Sequence, residues 1–243
     1  MDLSAIPTTE LLARAAEAAR SNPAIDDGEM WPMIYELHER PEPAVYAAAA
    51  RWIESPLLGH RRLGTYVIAD LGYERDYPFA DLSEPLLLAR LLDRDALVVA
   101  TAVSALGQHQ RGPTQALCEL ARHEVKEVRM AVARSLADRE DGVGTSTLIA
   151  LCADAEVEVR RLAANALASE TQEDTEEVRL ALVRCLADED RETRDEAIFG
   201  LAMLDDPRVE AAMRAALARP DTSEIVHMAA FHSAERRRAR TLQ

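Results

Sequence analysis

Apolar residues along this chain recur at spacings of three and four, not two, which is the period of an amphipathic helix. The segments VYAAAARWI (45–53), HRRLGTYVI (60–68), VVATAVSAL (98–106), VRMAVARSL (128–136), VRRLAANAL (159–167), TRDEAIFGL (193–201) and IVHMAAFHS (225–233) superimpose on one apolar anchor. Their shared form is roughly V-R-x-x-A-x-x-x-L, and offsets 0, 4 and 8 fall on one helical stripe. The last five anchors lie 30, 31, 34 and 32 residues apart, which leaves room for a second helix between each pair. Those partners read SEPLLLARLL (83–92), PTQALCELAR (113–122), TSTLIALCA (145–153), TEEVRLALVRCLA (175–187) and PRVEAAMRAALA (207–218). Ser83, Thr145 and Thr175 are expected as N-caps, and Pro113 and Pro207 as first-turn residues.

The 15-residue step between anchors 45 and 60 breaks the period, so 45–68 is expected to hold both helices of one repeat, joined by SPLLG. Upstream, TTELLARAAEAARS (8–21) and GEMWPMIYELHER (28–40) are expected to form a divergent terminal pair. GYERDYPFADLSEP is a longer connection rich in tyrosine and phenylalanine. The pattern predicts an all-α chain of about seven stacked helical hairpins, a right-handed α-solenoid. Its expected parts are an N-terminal helical cap (1–42), the repeat array (43–234) and a basic, flexible tail (235–243).

Composition agrees with a helical core built without rings. Hydrophobic residues make up 48% of the 243 residues but aromatics only 4%, so Ala, Leu, Val and Ile must fill the interior. The formal net charge of −15 disfavours general binding to nucleic acid or to an anionic membrane. Of the 28 basic residues Lys126 is the only lysine. Cys118, Cys152 and Cys185 lack the short spacing of a zinc site and are expected as reduced, buried thiols, which suits a cytoplasmic location. The N-terminus lacks a basic stretch followed by an apolar core, so no secretory signal is expected.

These repeats resemble HEAT repeats, in particular the short bacterial type associated with phycobilisome lyases. The resemblance rests on Val128-Arg129, Val159-Arg160 and Thr193-Arg194 with the Ala and Leu that follow them, and it covers about residues 43–234. It implies an Asp ahead of each second helix, a place held by Asp93, Asp154 and Asp188, with His123 in one repeat. Asp93, Asp154, Asp188, Arg129, Arg160 and Arg194 recur with the repeat, so they are assigned to an inter-repeat ladder of charges. In deoxyhypusine hydroxylases, HEAT-repeat enzymes, the matching positions carry His-Glu in several repeats and bind a di-iron centre. Here the pair is Asp195-Glu196 and occurs once, while His38-Glu39 and His123-Glu124 fall out of register. No metal, cofactor or catalytic set is therefore expected.

The resemblance also implies that the second helices line a concave surface. The face opposite the buried stripe reads Arg51, Arg62, Tyr66, Arg134, Arg161, Asn165, Asp195 and Phe199 in its main part, continuing to His227 and Phe231. Most acids instead fall in turns and first helices, such as SETQEDTEE (169–177) and ADEDRE (187–192). Arg and aromatic side chains are enriched where proteins bind proteins. The expected function is therefore a non-enzymatic, protein-binding scaffold or adaptor. Its partner would offer an acidic segment to the groove arginines or a basic patch to the acidic edges. Two alternatives stand beside it. The resemblance implies one, a HEAT-like DNA glycosylase with Asp195 as its carboxylate, or a bilin lyase-type subunit. The strong acidity suits the other, an acidic inhibitor or immunity-type protein.

Overall fold

The computed structural model describes residues 3–25, 30–137, 139, 142–168 and 174–241. Among these the chain is all-helical, with no strand. It divides into two compact units, Met1–Pro113 and Thr114–Gln243.

The first unit holds three helical hairpins: α1 (Thr8–Ser21) with α2 (Met30–His38), α3 (Pro43–Ile53) with α4 (Leu58–Asp70), and α5 (Ala80–Arg90) with α6 (Ala96–Gln108). Helix α4 is the hub and packs on α1, α2, α3 and α6. It reaches this density through two glycines. A Cβ at Gly59 would strike the Ala19 carbonyl of α1, and one at Gly64 would lie 2.7 Å from the Ala49 carbonyl of α3. Leu63, Val67 and Ile68 form its buried stripe.

The second unit holds four hairpins. Helix α7 (Thr114–Cys118) runs into a 3-10 turn at Glu119–Arg122 and pairs with α8 (Lys126–Leu136). The next two pairs are α9 (Gly142–Leu151) with α10 (Val157–Leu167), and α11 (Glu176–Cys185) with α12 (Arg191–Met203). A 3-10 turn at Pro207–Val209 leads into α13 (Glu210–Leu217), which pairs with α14 (Glu224–Thr241). Helices α8, α10, α12 and α14 stack in succession. Val128, Val132 and Leu136, then Val159, Ala163 and Leu167, then Ala197 and Leu201 are buried, at the offsets the sequence pattern predicts. Each such Leu, Ile or Val contributes about 1.5–3 kcal/mol by leaving water.

Helix starts differ from the sequence expectation in two places. Helix α5 begins at Ala80, so Ser83 lies inside it and is buried, with Pro85 further along the same helix. Pro85 resembles a first-turn residue in sequence, yet one turn already precedes it. Helix α9 begins at Gly142, which places Thr145 inside the helix and buried. Gly142 and Gly144 hide that start, since glycine is among the poorest helix formers. Thr175 does cap α11, accepting from the Val178 amide at 3.3 Å. The basic segment from Glu235 onward is no separate tail, because α14 continues to Thr241. Residues 169–173 of the acidic stretch SETQEDTEE lie outside the described residues.

Candidate functional site

The charge ladder forms as a repeated unit. Arg129 on α8 donates through Nε and Nη2 to Asp154 at 2.7 and 2.9 Å, and Arg160 on α10 donates likewise to Asp188 at 2.7 and 3.0 Å. The third amino group turns back to the chain's own loop, where Arg129 Nη1 meets the carbonyls of His123 and Glu124 and Arg160 Nη1 those of Asp154 and Ala155. Each Asp also accepts the amide two residues on, Glu156 from Asp154 and Asp190 from Asp188, both at 2.9 Å. The ladder carboxylates thus fix the turn before the second helix. After Asp93 and Asp188 helix capping passes to the residue two further on, Asp95 accepting from the Val98 amide at 3.2 Å and Asp190 from the Thr193 amide at 2.7 Å, whereas Glu156 after Asp154 makes no such bond.

In the first unit Asp93 has the same partner geometry, supplied by Arg61 at 2.9 and 3.2 Å. Arg61 falls outside the predicted ladder. Its place one residue after the anchor, where Arg129 and Arg160 stand, is the signal that identifies it. Arg194 keeps only the loop half of the arrangement, donating to the carbonyls of Asp188 and Glu189 at 2.8 and 2.9 Å. A further clamp, also outside the predicted ladder, holds Asp206 between Arg179 and Arg208. The Arg208 guanidinium, against the cost of burial and with help from Arg179, holds this carboxyl far below the usual range. Arg160 does the same for Asp188. At Asp154 burial acts upward, but the Arg129 hydrogen bond and charge outweigh it and bring the carboxyl down.

The predicted binding row divides into committed and uncommitted side chains. Arg62 is not free for a ligand, because it forms two bonds to Asp95 at 2.9 and 2.8 Å and donates to the Pro23 carbonyl at 2.8 Å. Tyr66 is half-buried, edge-on to Trp31 at 4.9 Å between ring centres. Arg161 pairs with Glu192, and Asn165 donates to Glu196 at 3.0 Å. Arg51 and Arg134 are exposed and pair with no carboxylate among the described residues. Phe199 is half-buried, His227 is exposed, and Phe231 and Met228 are exposed at 69% and 50%.

Asp195 departs from its expected place on an exposed face. It is 2% exposed, accepting from Arg219 Nη2 at 2.8 Å and Ser223 Oγ at 2.7 Å, with Arg191 Nε at 3.6 Å. The side chain reaches toward the loop that follows α13, so it closes the last repeat onto α12. Arg62–Asp95 and Arg161–Glu192 link successive repeats from the same helical offset with the opposite polarity. Asp195 is therefore not on the exposed groove face that the glycosylase-like alternative requires of it. Glu196 is half-buried beside it, and burial pushes its carboxyl above the ordinary value despite the Asn165 hydrogen bond.

Other polar and aromatic side chains have structural uses. His60 Nε2 meets the Ala16 carbonyl at 3.0 Å, and Trp52 is buried. All three cysteines are free thiols, but only Cys185 is buried as expected. Cys118 and Cys152 keep part of their surface, because each sits near the end of a first helix. The thiols of Cys152 and Cys185 are neighbours, and that contact together with burial raises the Cys152 pKa. Among the described residues no group of three His, Cys, Asp or Glu is arranged to hold a metal ion. No helix among them is long and apolar enough to cross a membrane.

The family model for HEAT repeats matches residues 84–168 and 145–235. No curated protein sequence matches the chain. Among solved structures, YibA of Escherichia coli superimposes with a TM-score of 0.75 at 22% identity, over 95% of this chain and 82% of that one. An archaeal HEAT-like repeats protein from Thermococcus onnurineus NA1 gives 0.58 at 12% identity, over 94% and 96% of the two chains. An engineered protein gives 0.60 at 20% identity, over 78% and 95%. At these identities the likeness concerns the fold alone.

Proposed function

The chain belongs to the HEAT-repeat family, and we propose that it is a non-enzymatic protein-binding module whose partner lies along the outward face of the second helices. The observation that carries this reading is on α14, where Met228 and Phe231 stand one turn apart with half or more of their surface in water. Neighbouring exposed apolar side chains are costly in isolation and are typical of interface centres. Arg134, Asn165, Phe199 and His227 continue the row along α8, α10, α12 and α14.

The arginines of the row bear on the charge of the partner. Arg62 is held internally by Asp95 and Arg161 pairs with Glu192 at the surface, which leaves Arg51 and Arg134 of the predicted row without a carboxylate among the described residues. The surplus of acids, a formal charge of −15, instead speeds encounter with a basic partner.

Affinity capture from the native host with wild-type protein and with Phe231→Glu tests the reading. The expected result is a partner retained by the wild type and lost by the variant, with unchanged circular dichroism. Equal recovery by both removes this surface from consideration.

A further inference from the structure

One recess in the first unit is built from groups that the repeat does not require. Helices α2, α4 and α6 end there, at His38, Asp70 and Gln108, and the tyrosine-rich connection after α4 contributes the other wall. The cavity measures about 310 Å³ and is lined by Tyr35, Tyr73 and Tyr77 with Glu39, Asp70 and His38. The partial negative charge of helix C-termini adds to that of the two carboxylates.

No arginine or lysine is among the residues that line this recess. Asp93, Asp154, Asp188, Asp195 and Asp206 all have largely shielded side chains, and each carries an arginine. Glu39, which is exposed, and the half-buried Asp70 pair with no arginine, lysine or histidine among the described residues. The two histidines add no charge, since His38 Nε2 donates to the Tyr66 carbonyl at 3.0 Å and burial holds the ring neutral. His109 does the same with the Ala69 carbonyl at 2.9 Å. The charges that act on the Tyr73 phenol are those of Glu39 and Glu74, and on Tyr77, after burial itself, those of Asp70 and Asp76.

A buried polar atom lies in the recess next to it. His109 is only 7% exposed, and its Nδ1 has no hydrogen-bond partner among the described residues. Because Nε2 faces a carbonyl, Nδ1 is a bare acceptor. The ring lines an adjoining recess of about 430 Å³, which shares Tyr77 and Gln108 with the first and also holds Asp76. The arginine there, Arg111, is taken by Asp81 at 2.7 Å. Tyr77 covers the His109 ring at 4.4 Å between centres. Asp76 and Tyr77 both hold left-handed backbone, φ +57° and +50°, a conformation that non-glycine residues adopt at a cost and that accumulates at ligand sites.

We propose that the tyrosine-lined recess binds an alkylammonium group through Glu39, Asp70 and the faces of Tyr35, Tyr73 and Tyr77, and that the natural source of the group is a lysine side chain of the partner. Tyrosine faces attract organic cations, and paired carboxylates select a cation over a neutral group of the same shape. The lysine assignment rests on the protein-binding reading; the ammonium site does not.

The test is an NMR titration of the full chain with n-butylammonium and, separately, with neutral 1-pentanol. The expected result is a saturable upfield shift of the ammonium methylenes, with a change in Trp31 fluorescence, since Trp31 lies 5.9 Å from Tyr35. Pentanol should give neither. Glu39→Gln with Asp70→Asn should weaken binding at least tenfold, and Tyr35→Leu and Tyr73→Leu severalfold. Tyr35 and Tyr73 are exposed at 62% and 48%, so the fold should tolerate both changes. No saturable shift, equal binding of pentanol, or an unchanged double variant overturns the site. Competition by acetyl-Gly-Lys-Gly-amide, and not by acetyl-Gly-Gln-Gly-amide, supports lysine as the source. A site that takes butylammonium but not the lysine peptide overturns that assignment. Partner capture by the Phe231→Glu protein reports on the protein-binding reading separately.

Discussion

The guanidinium of Arg160 lies side-on against the carboxylate of Asp188, with Nε–Oδ2 at 2.7 Å and Nη2–Oδ1 at 3.0 Å. The same arginine holds the carbonyls of Asp154 and Ala155, so one side chain ties its own turn to the next. Both side chains are largely shielded, at 12% and 9% exposure. Arg160→Ala is therefore expected to cost about 2 kcal/mol, between an exposed pair and a fully buried one. Arg160→Lys should recover only part of this, because an ammonium cannot make the parallel bonds and reach the carbonyls together. Urea denaturation gives both values; a loss under about half a kcal/mol for the alanine variant would show that the ladder is decorative.

The binding row contains arginines of two kinds, and stability separates them. Arg62→Ala should destabilise by about 2 kcal/mol, since Asp95 is left without its partner. Arg51→Ala and Arg134→Ala should stay within about 0.5 kcal/mol, as exposed side chains outside ion pairs do. Thermal unfolding of the three variants is the measurement, and a destabilised Arg134→Ala contradicts its placement.

Two groups of titrating residues should shape the pH dependence. His38 and His109 have folded pKa values lowered by burial, so their contribution is complete above about 6.5 and is lost as the unfolded chain takes up protons below that. Asp95, Asp154, Asp188 and Asp206 are also lowered, so theirs is complete above about 4 and fails as pH falls further. The urea midpoint should therefore fall in two stages, and His38→Gln with His109→Gln should flatten only the upper one. A midpoint unchanged between about pH 7.5 and 5.5 in the wild type contradicts the upper stage.

Glu196 runs the other way. Its raised pKa means that proton uptake favours the folded state as pH falls, so the ionised form at neutral pH weakens the fold. Glu196→Gln keeps an acceptor for Asn165 and removes the buried charge. It should raise the melting temperature near pH 7 and leave it nearly unchanged at about pH 4. A lower melting temperature at neutral pH would mean that Arg161 and Asn165 need the charge.

Packing of the first unit turns on a side chain that is absent. Gly64→Ala forces a Cβ against the Ala49 carbonyl at 2.7 Å and should cost about 1–3 kcal/mol. Gly142→Ala meets nothing within 4 Å among the described residues and should be neutral or slightly stabilising. Equal effects in the two variants, read from urea midpoints, would mean that α3 and α4 separate without penalty.

The repeat follows from the amino-acid sequence alone. Val159, Ala163 and Leu167 mark one helical stripe, and a stripe that recurs along the chain must be buried against its neighbours. The rhythm of Asp154 and Arg160 is legible for the same reason, since periodic charges serve periodic contacts. Which carboxylate each arginine meets is not legible, because helix pairing brings together residues some 25 to 33 positions apart. Only the packed helices reveal that Asp195 is enclosed by Arg219 and Ser223, that Arg62 is spent on Asp95, and that Arg134 stays exposed. Packing also gathers Tyr35, Glu39, Asp70, Tyr73 and Tyr77 at the ends of α2 and α4. Helical offset tells which way a side chain leaves its own helix; what waits there is set by the next turn of the stack.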